Sequence, residues 1–375
     1  MPVADFSSVI TFPDPRRHSR SVPDLMRAAV YRGSGRVSVE EIPTPELSFG
    51  ELLVRVETCG ICHTDLKKIE HNLLAPPRIY GHEIAGVVAE VGQGVDGYEI
   101  GDRVVVFHHI PCGSCFYCRR KNYAQCAFYR KVGVTAGFEP AGGGFSQYVR
   151  VMDWIVQRGI EKIPAGVSFD LACWVEPVNT CLKAVQMLGL QQDDTVAILG
   201  QGAIGLIFTM LVRRAGALVI ASDTIPYRRS VSEKLGAAAC ESPSPAFDQA
   251  VRDATDGRGA DAVIVATSTN GLVNQALKLS RPGAKILLFA QTSDTERIEV
   301  SGADICVRER MLLGSYSADV DLQSESADLV FSGELPLERL ITDRVLLSDI
   351  RTGIETALHP TETSLKVVIH PQDAA

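Results

Sequence analysis

Four of the chain's ten cysteines crowd into one short run. In "PCGSCFYCRRKNYAQC", Cys112, Cys115, Cys118 and Cys126 follow the spacing C-x2-C-x2-C-x7-C. Four thiolates at such short gaps can close a tetrahedron around Zn2+. With no open position, such a site holds structure and does not catalyse. A [4Fe–4S] cluster also takes closely spaced cysteines, but the long last gap and the absence of a proline after Cys126 favour zinc.

A second group is dispersed. Residues 59–63 read "CGICH", which alone fits haem attachment, a redox dithiol or half a zinc site. Beside it stand "YGHEIAGVVAEVG", with His82 and Glu83, and "WVEPVNT", with Glu176. One thiolate, one imidazole and one carboxylate from separate segments make a three-ligand set with a fourth position open for water or substrate, the catalytic arrangement. Alone, His82 would read equally well as a core histidine. Its place between Gly81 and Glu83, with a nucleotide motif downstream, favours a ligand.

That motif is Gly200-Gln201-Gly202-Ala203-Ile204-Gly205, G-x-G-x-x-G, between an apolar strand, "TVAILG", and a helical pattern. The first glycine permits a tight turn, the second lets backbone approach a pyrophosphate, and the third lets helix and strand pack closely. Ala203 and Ile204 open the helix, whose free N–H groups favour anions. The next strand ends in Asp223, placed to accept ribose hydroxyls and repel a 2′-phosphate, which predicts NAD over NADP. Arg228, nearby, is suited to a phosphate and weighs against strict preference.

These residues need elements to hold them. From Met26 to about residue 155 the chain reads as short β-branched strands broken by Gly and Pro, a barrel-like region. From about residue 178, strands alternate with helices: 195–200, 217–223, 261–267, 284–290 and 311–316 as strands, with helices after 203, over 227–236 and over 271–280. This predicts a parallel sheet covered on both faces. Residues 317–375 end in a strand, "LKVVIH" (365–370). The first 25 residues, Pro- and Ser-rich, are expected to be a disordered extension.

Length suits two domains. A net charge of −8 argues against nucleic acid as partner. No apolar run reaches the length of a membrane span, and no secretory signal is visible, so a reducing cytoplasm is expected. Cysteines are then ligands or buried small hydrophobes. The latter reading covers Cys59, Cys173, Cys181, Cys240 and Cys306. It also counts against haem. His108 and His109 are read mainly as structural, Trp154 and Trp174 as core or cleft wall.

Together "GICHTD", "GHEIAGVVAEVG", "GDRVVV", the four-cysteine run, "GFSQYVRV", "VEP", "GQGAIGL" and "LKVVI" resemble the zinc-dependent medium-chain alcohol and polyol dehydrogenases over nearly all of 26–370. The resemblance implies an α/β protein: a GroES-like β-rich catalytic domain (26–177, with a structural zinc lobe at 111–127), a Rossmann doubly wound domain (178–316), and a C-terminal segment (317–375) returning to the first. It implies one catalytic and one structural zinc, NAD, a small alcohol substrate and a homo-oligomer, dimer or tetramer. Cys62 matches the family's catalytic cysteine, His82 its histidine, and Glu83 a carboxylate that helps exchange ligands. Glu176, where classical alcohol dehydrogenases have a cysteine, resembles the sorbitol and threonine dehydrogenase branches, where this glutamate binds zinc directly or through water. Thr64 matches the first proton acceptor. Lys67 replaces the histidine that often ends the relay, and Thr180 matches a position near the nicotinamide. The expected reaction is hydride transfer between a secondary alcohol or polyol and NAD. A threonine-type dehydrogenase and a non-catalytic zinc- and nucleotide-binding protein are the alternatives.

Overall fold

The computed structural model describes residues 22–108, 110–129, 142–267, 271–289 and 297–372. His109 and most of the expected N-terminal extension lie outside them. The chain is already structured before residue 26: Val22 is buried and a strand begins at Leu25.

The β-rich half contains two sheets. In the smaller, Leu25–Tyr31 runs between Val37–Pro43 and Arg78–Ile79. The larger has seven strands, in the order Ile341–Leu346, Lys366–His370, Leu52–Gly60, Glu83–Val91, Arg103–Val106 and Ile160–Lys162, with Tyr148–Val151 also paired to Leu52–Gly60. Register decides what meets. Gly60 pairs with Glu83 on one side and with Val368 on the other, both antiparallel. The segment leaving Gly60 toward Cys62 therefore lies beside His82 and beside Lys366. Ile61 continues the pairing by donating its N–H to the Val367 carbonyl at 3.0 Å.

The second half is one parallel six-stranded sheet, ordered Ala239–Glu241, Leu218–Ser222, Thr195–Leu199, Ala260–Val265, Ser280–Leu288 and Met311–Gly314. This is the doubly wound order, with a ligand crevice at the carboxyl ends where strand order reverses. Thr195–Leu199 is buried throughout, as a central parallel strand must be. Its side chains alternate between two cores. Val196 and Ile198 join the large core that also contains Val54 and Ile84, while Ala197 and Leu199 pack with Val263 and Phe247. The helix Val175–Leu188 packs on both Glu83–Val91 and Ala203–Arg214, so it spans the two halves. Its first turn carries Glu176.

Candidate metal and cofactor sites

Cys62 is the N-cap of the helix His63–Glu70, and His82 immediately precedes the strand Glu83–Val91. The ligand atoms of Cys62, His82 and Glu83 all lie within 4.8 Å of one another. Asp65, which sequence reasoning passed over, holds two of these segments in place. Its Oδ2 accepts the Cys62 N–H at 3.3 Å, and its Oδ1 stands 3.1 Å from His82 Nδ1. Its signal was local: an acid three residues after an N-cap reaches back to the cap. The His82 ring also lies 4.8 Å from the His108 ring, centre to centre, and both residues are buried.

Glu176 is buried but is not a member of the three-residue group. Burial, reinforced by Glu83 and opposed by His82 and Lys366, pushes its carboxyl up to about 7. Burial draws the His82 imidazole down, yet Asp65 and Cys62 outweigh it and raise it well above the usual value. Lys366, also passed over by sequence reasoning, is a buried cation ion-paired to Glu83 Oε2. Thr64 and Lys67 are half-buried on the helix that begins just after Cys62. Thr180 is buried and donates its hydroxyl to the Pro177 carbonyl at 2.9 Å.

The four-cysteine run comes together as its spacing predicts, with all four sulfurs within 4.8 Å of one another. Cys115–Cys118, Cys126–Cys112 and Cys112–Cys118 are separated by 3.5, 3.7 and 3.9 Å. Sulfurs placed about 2.3 Å from a tetrahedral Zn2+ stand about 3.8 Å apart, so zinc fits. An iron–sulfur cube would need to sit between them and spread them further. Backbone N–H groups of Ser114 and Cys115 lower the Cys112 thiol to about 6. Burial pushes Cys118 up to about 12. The lobe is tied to the segment after the parallel sheet by Lys121 and Tyr123, each 2.9 Å from Asp321 Oδ2.

At the glycine turn each glycine has its own reason. Gly200 has φ +97°, a left-handed conformation. A Cβ on Gly205 would fall 1.9 Å from the Gly200 carbonyl oxygen. A Cβ on Gly202 would meet, among the described residues, Arg228 Nη1 at 3.8 Å, so none of them forbids a side chain there. Ala203 and Ile204 open the helix Ala203–Arg214. Asp223 is buried, and its carboxylate accepts the N–H groups of Gln201 at 2.6 Å and Ile225 at 2.8 Å. Arg228 donates to the Ser364 carbonyl at 3.2 Å, while its Nε is buried with no hydrogen-bond partner among the described residues. An unmatched cationic donor beside a free helix N-terminus suits an anionic cofactor.

Cys59, Cys173, Cys181 and Cys240 are buried as expected. Cys306 is exposed on the short helix Gly302–Cys306, so its reading as a buried hydrophobe is corrected. Trp174 is fully buried, with Trp154 packed against the core.

A β-rich domain with a thiolate–imidazole–carboxylate group, joined to a doubly wound dinucleotide sheet, defines a zinc-type nucleotide-dependent dehydrogenase. Residues 48–165 match the alcohol dehydrogenase GroES-like domain and residues 203–331 the zinc-binding dehydrogenase domain. The chain is 28% identical to sorbitol dehydrogenase of Bacillus subtilis over 361 residues, covering 94% of this chain and 99% of that protein. It is 33% identical to L-threonine 3-dehydrogenase of Pyrococcus horikoshii over 259 residues, 66% of this chain and 71% of that one. The solved structure of a zinc-binding dehydrogenase from Sinorhizobium meliloti 1021, bound to NADP, superposes with TM-score 0.83 at 30% identity, covering 93% of this chain and all of that one. The chain belongs to the zinc-dependent medium-chain alcohol and polyol dehydrogenases.

Proposed function

We propose that this enzyme oxidises a secondary alcohol or sorbitol-like polyol with NAD. The observation that carries the reading is the convergence of Cys62, His82 and Glu83 just before the helix that presents Thr64. Cys62 and His82 would hold the catalytic zinc, with Glu83 and Glu176 as the available carboxylates. Zinc held there supplies Lewis acidity that makes an alcohol easier to deprotonate. The nicotinamide supplies the hydride acceptor. Thr64 would accept the alcohol proton at its hydroxyl oxygen while passing its own hydroxyl proton on to water, with Lys67 on the same helix as the cation that stands where the relay would otherwise continue. With a dinucleotide bound, Asp223 would use its remaining lone pairs for the ribose hydroxyls, Arg228 would pair with phosphate, and Thr180 would pack near the nicotinamide. Cys112, Cys115, Cys118 and Cys126 would hold the structural zinc.

A threonine-type reaction is the second reading, favoured by the 33% identity to that relative. Among the described residues no helix is long and apolar enough to cross a membrane. Ten free cysteines suit a reducing cytoplasm. Among the described residues Met311–Gly314 is an edge strand, and with exposed Met311 on it and exposed Val307 just before it, it suits association into a homo-oligomer.

The test measures zinc per chain and then NADH formation over polyols, simple secondary alcohols and threonine. Cys62→Ser should lose one zinc and all activity while keeping its fold. Full activity in that variant would overturn the reading, and turnover of threonine alone would select the second.

A further inference from the structure

The four-cysteine lobe reaches the parallel sheet through a tyrosine. Tyr129 is fully buried in the small core it shares with Cys118, Tyr123 and Cys126, and Val320 packs against that core from the segment after the sheet. The Tyr129 hydroxyl stands 2.7 Å from Ser317 Oγ and 3.2 Å from the Ala318 carbonyl. The helix Val175–Leu188 holds the same segment. Lys183 donates to the Tyr316 carbonyl at 2.9 Å, and Asn179 exchanges two hydrogen bonds with the Asp319 backbone, at 2.7 and 3.1 Å.

What these groups hold is a strained turn. Ser317 has φ +60°, the left-handed region. A residue with a Cβ crowds its own backbone there, so it persists only where its surroundings compensate. The turn follows Ser315, at the carboxyl end of Met311–Gly314. The Ser315 N–H donates to the Leu288 carbonyl at 3.3 Å, while its buried hydroxyl has no hydrogen-bond partner among the described residues. A buried polar group left unmatched needs a reason. In a doubly wound sheet each half receives one nucleotide at its carboxyl ends. The glycine turn and Asp223 belong to the first half. Ala260–Val265, Ser280–Leu288 and Met311–Gly314 make the second, so this turn stands at the edge of the cofactor's crevice.

We propose that Tyr129 is a positioning residue for the cofactor. It holds Ser317 in its left-handed turn and so presets the carboxyl end of Met311–Gly314 before the dinucleotide arrives. Cys126, three residues earlier, would be fixed by the lobe's zinc, and Tyr129 with it. The lobe thus acts on cofactor binding as well as on stability. Without the tyrosine hydroxyl, Ser317 relaxes to an ordinary backbone conformation, and binding must first restore the turn. This rests on the reading of the parallel sheet as an NAD site.

The experiment titrates NADH, followed by its fluorescence, into zinc-loaded full-length protein. Tyr129→Phe should weaken NADH binding about tenfold, the population cost of one residue released from a left-handed turn. Its kcat at saturating cofactor should hold. Tyr129→Phe/Ser317→Gly should recover most of the affinity, because glycine takes the left-handed conformation without a tether. Ser317→Ala and Ser317→Gly both lack the hydroxyl and leave the lobe intact, so Ser317→Ala should bind NADH several-fold more weakly than Ser317→Gly. Wild-type affinity in folded Tyr129→Phe overturns the proposal. So does a double variant as weak as Tyr129→Phe, which leaves the tyrosine a merely structural part. Equal affinities in the two Ser317 variants overturn it even if Tyr129→Phe does not fold. A wild-type protein that binds neither NADH nor NADPH defeats the underlying cofactor reading instead.

Discussion

Asp65 Oδ1 lies 3.1 Å from His82 Nδ1, and both residues are buried. With Nδ1–H donated to the aspartate, a metal-bound imidazole would present Nε2 as its lone-pair atom. The aspartate's second oxygen fixes the Cys62 backbone, so one side chain sets the direction of two ligands. Asp65→Asn keeps the size but loses the charge. Metal affinity and kcat/KM should each fall about 10–100-fold, the usual cost of removing a group that orients a ligand. Competition with a chromophoric chelator, alongside steady-state kinetics, measures both. Wild-type affinity in the variant would remove Asp65 from this role.

The four-cysteine lobe should be separable from catalysis in metal content but not in stability. Cys118→Ser should lower zinc by one per chain and free the contacts of Lys121 and Tyr123 with Asp321. A thermal melt should show a lower midpoint, and zinc analysis should show the catalytic metal retained.

Gly205 and Gly202 should respond oppositely to alanine. At Gly205 the new methyl meets backbone, so overpacking should cost about 1–3 kcal/mol. At Gly202 it makes an ordinary contact with Arg228 Nη1, so stability should hold while the KM for cofactor rises. Melting curves and cofactor titrations of the two variants decide.

Asp223→Ala removes the charge that opposes a 2′-phosphate. The ratio of kcat/KM with NADP to that with NAD should rise about 10–100-fold, since juxtaposed like charges cost several kcal/mol. Asp223→Ala/Arg228→Ala should lose most of that gain. Initial rates with both cofactors test it.

Asp170 joins three distant segments: it accepts from Thr58 at 3.0 Å, Arg344 at 2.7 Å and His370 at 2.8 Å. Burial pushes its carboxyl up, but His370, Arg344 and Thr58 outweigh this and bring it down to about 2. A carboxylate depressed in the folded state stabilises above its unfolded value of about 3.9 and loses that contribution as pH falls toward the folded value. With Arg344 and His370 partly exposed, about 1 kcal/mol is expected after solvent screening. Urea midpoints should therefore fall between pH 5 and pH 2.5 in wild type, and less steeply in Asp170→Asn.

Much of this was legible in the sequence because it rested on local rules. The helix from Ala203, the strands around it and the four-cysteine lobe follow from periodicity, glycine positions and short spacing. The strand Ala239–Glu241 was missed because it is only three residues long at a sheet edge, with one buried side chain. Asp65 and Lys366 were missed for a different reason. Each acts through a partner distant in sequence, and only strand register, Gly60 against both Glu83 and Val368, brings them to the site.

That register also sets an order of assembly. Synthesis runs from the N-terminus, so Cys62, His82, Glu83 and the four-cysteine run all leave the ribosome long before Lys366, which lies 305 residues beyond its partner Ile61. The lobe closes over a short loop and can fold while translation continues. The catalytic sheet must wait for the strand Lys366–His370, because a contact of such separation forms late. Nascent chains stalled before Lys366 should already protect the lobe cysteines from alkylation while Cys62 still reacts, making completion of the reactive centre an event that waits on the emergence of Lys366.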